Sequence, residues 1–394
     1  MRAHRGLSAA KTLAEHGDWS NVRSQLRRYM QLHPRDARAH LMMAEALVKD
    51  DLLSTVERVT DAITYLQKIA DDSPLAARAR TQEARLRLLI LHEPSQAERV
   101  FREAIRLDPT SFEAHYLLWH LLGLTGRSHS SECEAIFWQV YQLTPEVDRS
   151  VRLREWYLSE FGPGSWTAPF DRMMGFLNEN EQPSALVEYR RLGRFRHADK
   201  DSPMVHAALA QRFWRDGEVQ DAAEIIRKAS SLNGAGDDPF FIATSVTVSL
   251  ELGQFEQAER CFSQWKRSRD SYEFWRLHGI LDEEIRRDSA SAIRAYDAAL
   301  KIWPGQSDWS LRFRKAHCLD RMGQTEQADD ARRSAKTFEE LLETDVHQEL
   351  RKALGDLSDP NQLRKIIDFY QKLGRDREVD SWTRELRKLR DLEE

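Results

Sequence analysis

Thirteen histidines, three cysteines and a surplus of carboxylates could supply metal ligands or acid–base pairs, but their spacing points elsewhere. A zinc-protease helix needs two histidines one turn apart with a glutamate between them. His92-Glu93-Pro94 has no second histidine at that spacing, and the proline marks a loop. His115 and His120 are five apart, which does not place both on one helical face. A phosphate loop needs glycines between a strand and a helix, and neither FGPGSW (161–166) nor NGAGDD (233–238) follows a strand pattern. No G-x-S-x-G elbow for a nucleophilic serine occurs. Glu283 and Glu284 read as ordinary solvated charge on a helix. Cys133, Cys261 and Cys318 are odd in number and far apart, so they imply no disulfide framework. Their apolar helical surroundings predict buried thiols in a reducing compartment. No catalytic, cofactor-binding or metal-binding residue is expected, and the chain reads as a non-enzymatic protein.

Composition narrows the class further. The 394 residues are too many for one compact core, so they form either several domains or an extended array. Glycine (17) and proline (12) are sparse, which disfavours architectures built from strands and tight turns. No run approaches the roughly 18–20 apolar residues of a membrane span, and the N-terminus lacks the apolar core of a signal peptide. The expected location is the cytoplasm. The net charge of −5 argues against a dedicated nucleic-acid binder. Residues 1–106 nevertheless hold 18 Lys and Arg against 14 Asp and Glu, a mild basic excess that would favour an acidic ligand.

The elements that position these side chains repeat. GDWSNVRSQLRRYMQLHP, PSQAERVFREAIRLDP and SASAIRAYDAALKIWP are each an amphipathic helix closed by Pro34, Pro109 or Pro304. Twelve residues before the proline stands Val22, Ala97 or Ala292. Eight before stands Leu26, Phe101 or Tyr296, and five before stands Tyr29, Ala104 or Ala299. Steps of four and three keep these residues on one face. The same frame fits Ala62, Leu66 and Ile69, then Cys133, Phe137 and Val140. Without the proline it fits Ala222, Ile226 and Ala229, then Ala258, Phe262 and Trp265. A partner helix precedes each one. Several partners end in a glycine suited to a left-handed cap: Gly17, Gly126, Gly217, Gly253, Gly323 and Gly374.

A helix pair of about 34 residues resembles the tetratricopeptide repeat. Trp275, His278, Gly279, Ala292, Tyr296, Ala299 and Pro304 follow that family's pattern, with His in place of Leu and one extra residue in the turn. The resemblance implies an all-α, right-handed superhelical solenoid of antiparallel helix pairs, about nine or ten repeats long. The pairs are expected at 3–36, 37–76, 77–111, 112–146, 203–237, 238–271, 272–306, 308–340 and 360–393. These divide the chain into an N-terminal array (1–146), an irregular connector or degenerate repeat (147–201), a C-terminal array (202–340), and an extra helix with the last repeat and cap (341–394). Within the connector, FGPGSWTAP reads as a turn and PFDRMMGFLNENEQ as a helix. The stretch 337–354 reads as one extended or inserted helix, and DDLLST as an insertion in the second pair. The tryptophans at or beside the frame, Trp265, Trp275, Trp303, Trp309 and Trp382, read as core.

In this family the first helix of each pair lines a concave groove that holds ligands. The resemblance places Lys11, Arg38, Arg78, Gln82 and Arg85 in the N-terminal groove, where arginines suit an acidic peptide. It places Arg276, Trp309, Phe313, Arg314 and His317 in a second groove with the composition of a protein hot spot. The asparagines of the family's carboxylate clamp are missing, so no chaperone-tail clamp is expected. The implied function is an adaptor that binds a peptide or protein segment. The competing readings are an obligate scaffold subunit, self-association included, and a regulatory or RNA-binding repeat protein.

Overall fold

The computed structural model describes residues 2–50 and 55–393, and among them every regular element is helical. Residues 51–54, within the expected insertion DDLLST, lie outside the described residues. The N-terminal helices are α1 (Arg2–Glu15), α2 (Trp19–Leu32), α3 (Ala37–Lys49), α4 (Thr55–Gln67), α5 (Ala76–Leu86), α6 (Pro94–Leu107), α7 (Phe112–Leu124) and α8 (Ser131–Leu143). A wider turn, Arg87–Leu91, prolongs α5. The middle holds α9 (Arg149–Phe161), α10 (Pro163–Met173) and α11 (Ala185–Ala198). Then follow α12 (Pro203–Arg215), α13 (Val219–Ala229), α14 (Pro239–Glu251), α15 (Phe255–Ser263), α16 (Tyr272–Glu284), α17 (Ser289–Ala299), α18 (Trp309–Arg321) and α19 (Thr325–Leu341). The chain ends with α20 (Thr344–Ala353), α21 (Pro360–Lys372) and α22 (Asp376–Glu393).

These helices pack as successive pairs: α1 with α2, α3 with α4, α5 with α6, α12 with α13, α14 with α15, α16 with α17, α18 with α19 and α21 with α22. The frame read from the sequence is their packing surface. Val22, Leu26, Ala97, Phe101, Ala104, Ala258, Phe262, Trp265, Ala292, Tyr296 and Ala299 are all buried. The small residue lets the paired helix approach. Between α16 and α17, a Cβ on Gly279 would lie 2.4 Å from the ring of Tyr296. The six glycines expected to cap helices all adopt positive φ, from 67° at Gly253 to 85° at Gly217. The arrangement is a tetratricopeptide-like solenoid of antiparallel helix pairs.

The sequence reading fails in the middle. FGPGSWTAP is not a turn, because α10 begins at Pro163, where a missing N–H costs nothing, and runs through Pro169. The helix expected from PFDRMMGFLNENEQ stops at Met173, and Gly175 follows in the left-handed region. The stretch 337–354 is two helices, broken between Leu341 and Thr344.

Two compact units are present. One comprises Met1–Leu121, Pro169–Gln182 and Gly193–Lys200; the other comprises Leu122–Ala168, Pro183–Leu192 and Asp201–Glu394. The expected connector 147–201 therefore contributes to both. In the first unit, Phe176 and Phe195 pack around His92, whose φ of 59° is left-handed. Asp199 accepts from Ser95 N–H at 2.8 Å and from its hydroxyl at 2.5 Å, capping α6 from outside, because Glu93 makes no cap of its own. In the second unit, Trp166 lies so close to Gly123 that a Cβ there would come within 2.0 Å of the indole.

Candidate interaction surfaces

The first helix of each pair in the first unit carries the expected N-terminal set. Lys11 on α1, Arg38 on α3, and Arg78 and Arg85 on α5 are exposed, and Gln82 is half-buried. Among the described residues Lys11 and Arg78 make no ion pair. Arg38 is held by Asp36, the cap of its own helix, at 3.4 Å. Arg85 reaches Glu113 on α7 at 3.5 Å, and both side chains are more than half exposed. Arg80, one turn from these, has a different role. It is buried and donates to the carbonyls of Leu66 and Ile69 and to Asp71, tying the end of α4 to α5.

The second set is dispersed. Trp309 and Phe313 meet edge-to-face on α18 at 5.9 Å, and His317 is exposed one turn on. Arg314 donates to Glu283 at 2.9 Å and to Glu284 at 2.7 Å. Glu283 is not solvated charge, as the sequence suggested. It is buried, accepts from the Tyr296 hydroxyl at 2.6 Å and also pairs with Arg321. The tight Gly279–Tyr296 contact brings the phenol across to α16, and the carboxylate satisfies it there. Of the frame tryptophans, Trp265, Trp303 and Trp382 are core, whereas Trp275 and Trp309 are only half-buried. Cys133 and Cys318 are buried as expected; Cys261 is half-buried.

Within the second unit, residues 127–161 pack against the C-terminal helices and the loops between them. The guanidinium of Arg127 lies 5.8 Å from the centre of the Phe240 ring on α14. His129 stacks on Trp303 and its ring bonds the Glu160 carbonyl at 2.9 Å. Trp156 on α9 packs against Trp303 at 4.9 Å and donates to Glu378 on α22 at 2.9 Å. Tyr157 bonds His347 at 2.8 Å, and Phe161 meets Phe369 on α21. At the centre, Arg375 is buried with Glu160 and Glu378 and bonds both carboxylates. Burial pushes the Glu160 carboxyl above its ordinary range, with Arg375 opposing and Glu378 reinforcing the shift.

The second unit contains a groove and a smaller cleft. A groove of about 910 Å³ runs between α13 and α15 over α14. Its floor is Phe241, Ile242, Val248 and Leu252, and exposed Phe255 stands at its edge. Cys261 lines it, and burial raises that thiol. A smaller cleft of about 140 Å³ lies between loop 126–130 and helices α12, α14 and α16. It takes Arg276 from the expected set and adds Arg127, Trp214, Arg215 and Tyr272, which the sequence reading did not select. Their one common sequence signal is local: Arg127 follows capping Gly126, and Arg215 stands two residues before capping Gly217.

The paired helices, their phased frame and the left-handed caps define a tetratricopeptide-like helical-repeat protein. No protein-family model matches the chain, and no curated protein matches it. Solved structures similar to it include one multi-subunit assembly and two tetratricopeptide repeat structures. The Cut9–Hcn1 hetero-tetramer of the APC/C is 14% identical with a TM-score of 0.36, over 98% of this chain and 87% of that one. A tetratricopeptide repeat protein from Parabacteroides merdae is 13% identical with a TM-score of 0.33, over 66% and 91%. The tetratricopeptide domain of P58(IPK) is 16% identical with a TM-score of 0.27, over 100% and 99%. Among the described residues, no helix is long and apolar enough to cross a membrane.

Proposed function

We propose that this chain is a non-catalytic cytoplasmic adaptor that holds an acidic peptide or protein segment on the first-helix face of α1, α3 and α5. One observation carries the reading: Lys11, Arg38, Arg78 and Arg85 are exposed on three successive first helices, and Lys11 and Arg78 make no ion pair among the described residues. The acids on Arg38 and Arg85 sit at exposed positions or close the arginine's own cap, so exchanging them for a ligand carboxylate costs little.

The test is affinity capture from the native host, comparing the wild-type chain with Arg78→Glu/Arg85→Glu. The double variant is expected to lose an acidic partner while its circular dichroism stays unchanged. Equal recovery of every partner would sink the proposal.

A further inference from the structure

The cleft at loop 126–130 has features that a peptide groove does not explain. Its volume of about 140 Å³ matches only a handful of waters, far below the several hundred Å³ of a typical small-molecule site. It therefore suits one compact chemical group. Three arginines line it from three separate elements: Arg127 from the loop, Arg215 from the end of α12 and Arg276 from the second turn of α16. Arg276 makes no ion pair among the described residues. Arg215 donates only to neutral oxygens, the Gln211 side chain at 2.9 Å and the Gly126 carbonyl at 3.5 Å. Glu273 is the single carboxylate among the lining residues. Burial pushes its carboxyl up, and the charge of Arg276 opposes that shift. Thr247 and the Tyr272 ring complete the wall; the phenol donates to Asp308 at 2.6 Å, which fixes the ring against the cleft.

We infer that this cleft binds the phosphate of a phosphate monoester, gripped by Arg276 and Arg215 with Arg127 closing the loop side. A planar carboxylate offers two oxygens in one plane, which one arginine fork can satisfy. A phosphate offers three acceptor oxygens spread in space, and cations arriving from three elements match that geometry. Tetrahedral, doubly charged phosphate therefore uses the site more fully than a carboxylate does. This inference is independent of the N-terminal face, which lies in the other unit.

The experiment is isothermal titration calorimetry on the full chain at low ionic strength. The probes are inorganic phosphate, O-phosphoserine, a short phosphoserine peptide and glutarate. All three phosphate probes are expected to bind, and more weakly as salt rises. Glutarate is expected to bind several-fold more weakly. Arg215→Gln/Arg276→Gln should weaken phosphate binding by at least about ten-fold, the scale of one lost charge-assisted hydrogen bond. Arg260→Gln, which lines the larger groove between α13 and α15, should leave it unchanged, with circular dichroism confirming that both variants fold. Tighter binding of the phosphopeptide than of phosphoserine identifies a modified protein as the source; equal binding identifies a free monoester. Absence of heat with every phosphate probe at millimolar concentration overturns the inference. So does undiminished phosphate binding by the double variant, or glutarate binding as tight as phosphate.

Discussion

Arg375 shows how much a single side chain carries in this molecule. It is almost fully buried with two carboxylates, Glu160 from α9 and Glu378 from its own helix, so one guanidinium neutralises two acids. Removing one partner of a buried ion pair leaves uncompensated charge, which costs about 3–5 kcal/mol. Arg375→Ala is expected to lower the unfolding temperature of the second unit markedly, and calorimetry would show it; a shift no larger than for an exposed arginine such as Arg227 would refute this. The pH dependence has a definite sign. Glu160 is held above the ordinary carboxylate range, so the folded chain keeps that proton at pH values where the unfolded chain has released it. Its contribution to stability is complete below roughly pH 4 and is lost as pH rises through the raised value. Glu160→Gln should flatten that part of the stability profile, measured as unfolding temperature against pH. Gly279 tests the packing frame by itself. Gly279→Ala would drive a methyl into Tyr296 and is expected to cost about 1–3 kcal/mol, whereas Gly193→Ala, with nothing within 4 Å, should be neutral or stabilising.

At the level of elements, α14 depends most on its surroundings. Its sequence, PFFIATSVTVSLE, is rich in β-branched and hydroxyl residues with modest helix propensity. Thr244 and Ser245 turn their hydroxyls back to the carbonyls of Phe240 and Phe241. The helix is started by Asp238, whose carboxylate accepts from the N–H groups of Phe240 and Phe241 at 2.9 and 3.1 Å. Asp238→Ala is expected to cost about 1–2 kcal/mol, seen as faster hydrogen exchange across α14; unchanged exchange would mean that packing alone holds the helix. The pairs were legible because their signal is local: Ala292, Tyr296 and Ala299 lie within one helix and announce its buried face at a period of 3.6. The middle was not legible for a matching reason. α10 has no frame residues and two prolines, and its tryptophan is fixed by Gly123 on another helix. Position within a repeat identifies exposed cations such as Arg78. It cannot see that Glu283 would claim Arg314, or that Arg127 and Arg215 would line one cleft.

At the level of the whole molecule, the second unit departs from a simple linear array. In a linear solenoid each repeat touches only its neighbours, so removing the last pair should fray the end and leave the rest intact. Here α9 is held by residues far along the chain: Trp156 by Trp303 and Glu378, Tyr157 by His347, and Glu160 by Arg375. Deleting residues 360–394 would remove Arg375 and Glu378 together and expose Trp156, Phe161 and Glu160 at once. The expected outcome is loss of hydrogen-exchange protection at 149–161 and around Trp303 as well as at α20. The linear alternative predicts protection at 149–161 unchanged, because those helices lie many pairs from the cut. The same deletion also tests what holds loop 126–130 in place. His129 is bonded to the Glu160 carbonyl and stacked on Trp303, so loosening α9 should free the loop and uncover more of the face it borders on α12, α14 and α16. Faster exchange at 126–130 in the truncated chain would link the C-terminal pair to access at that face, and unchanged exchange there would separate the two.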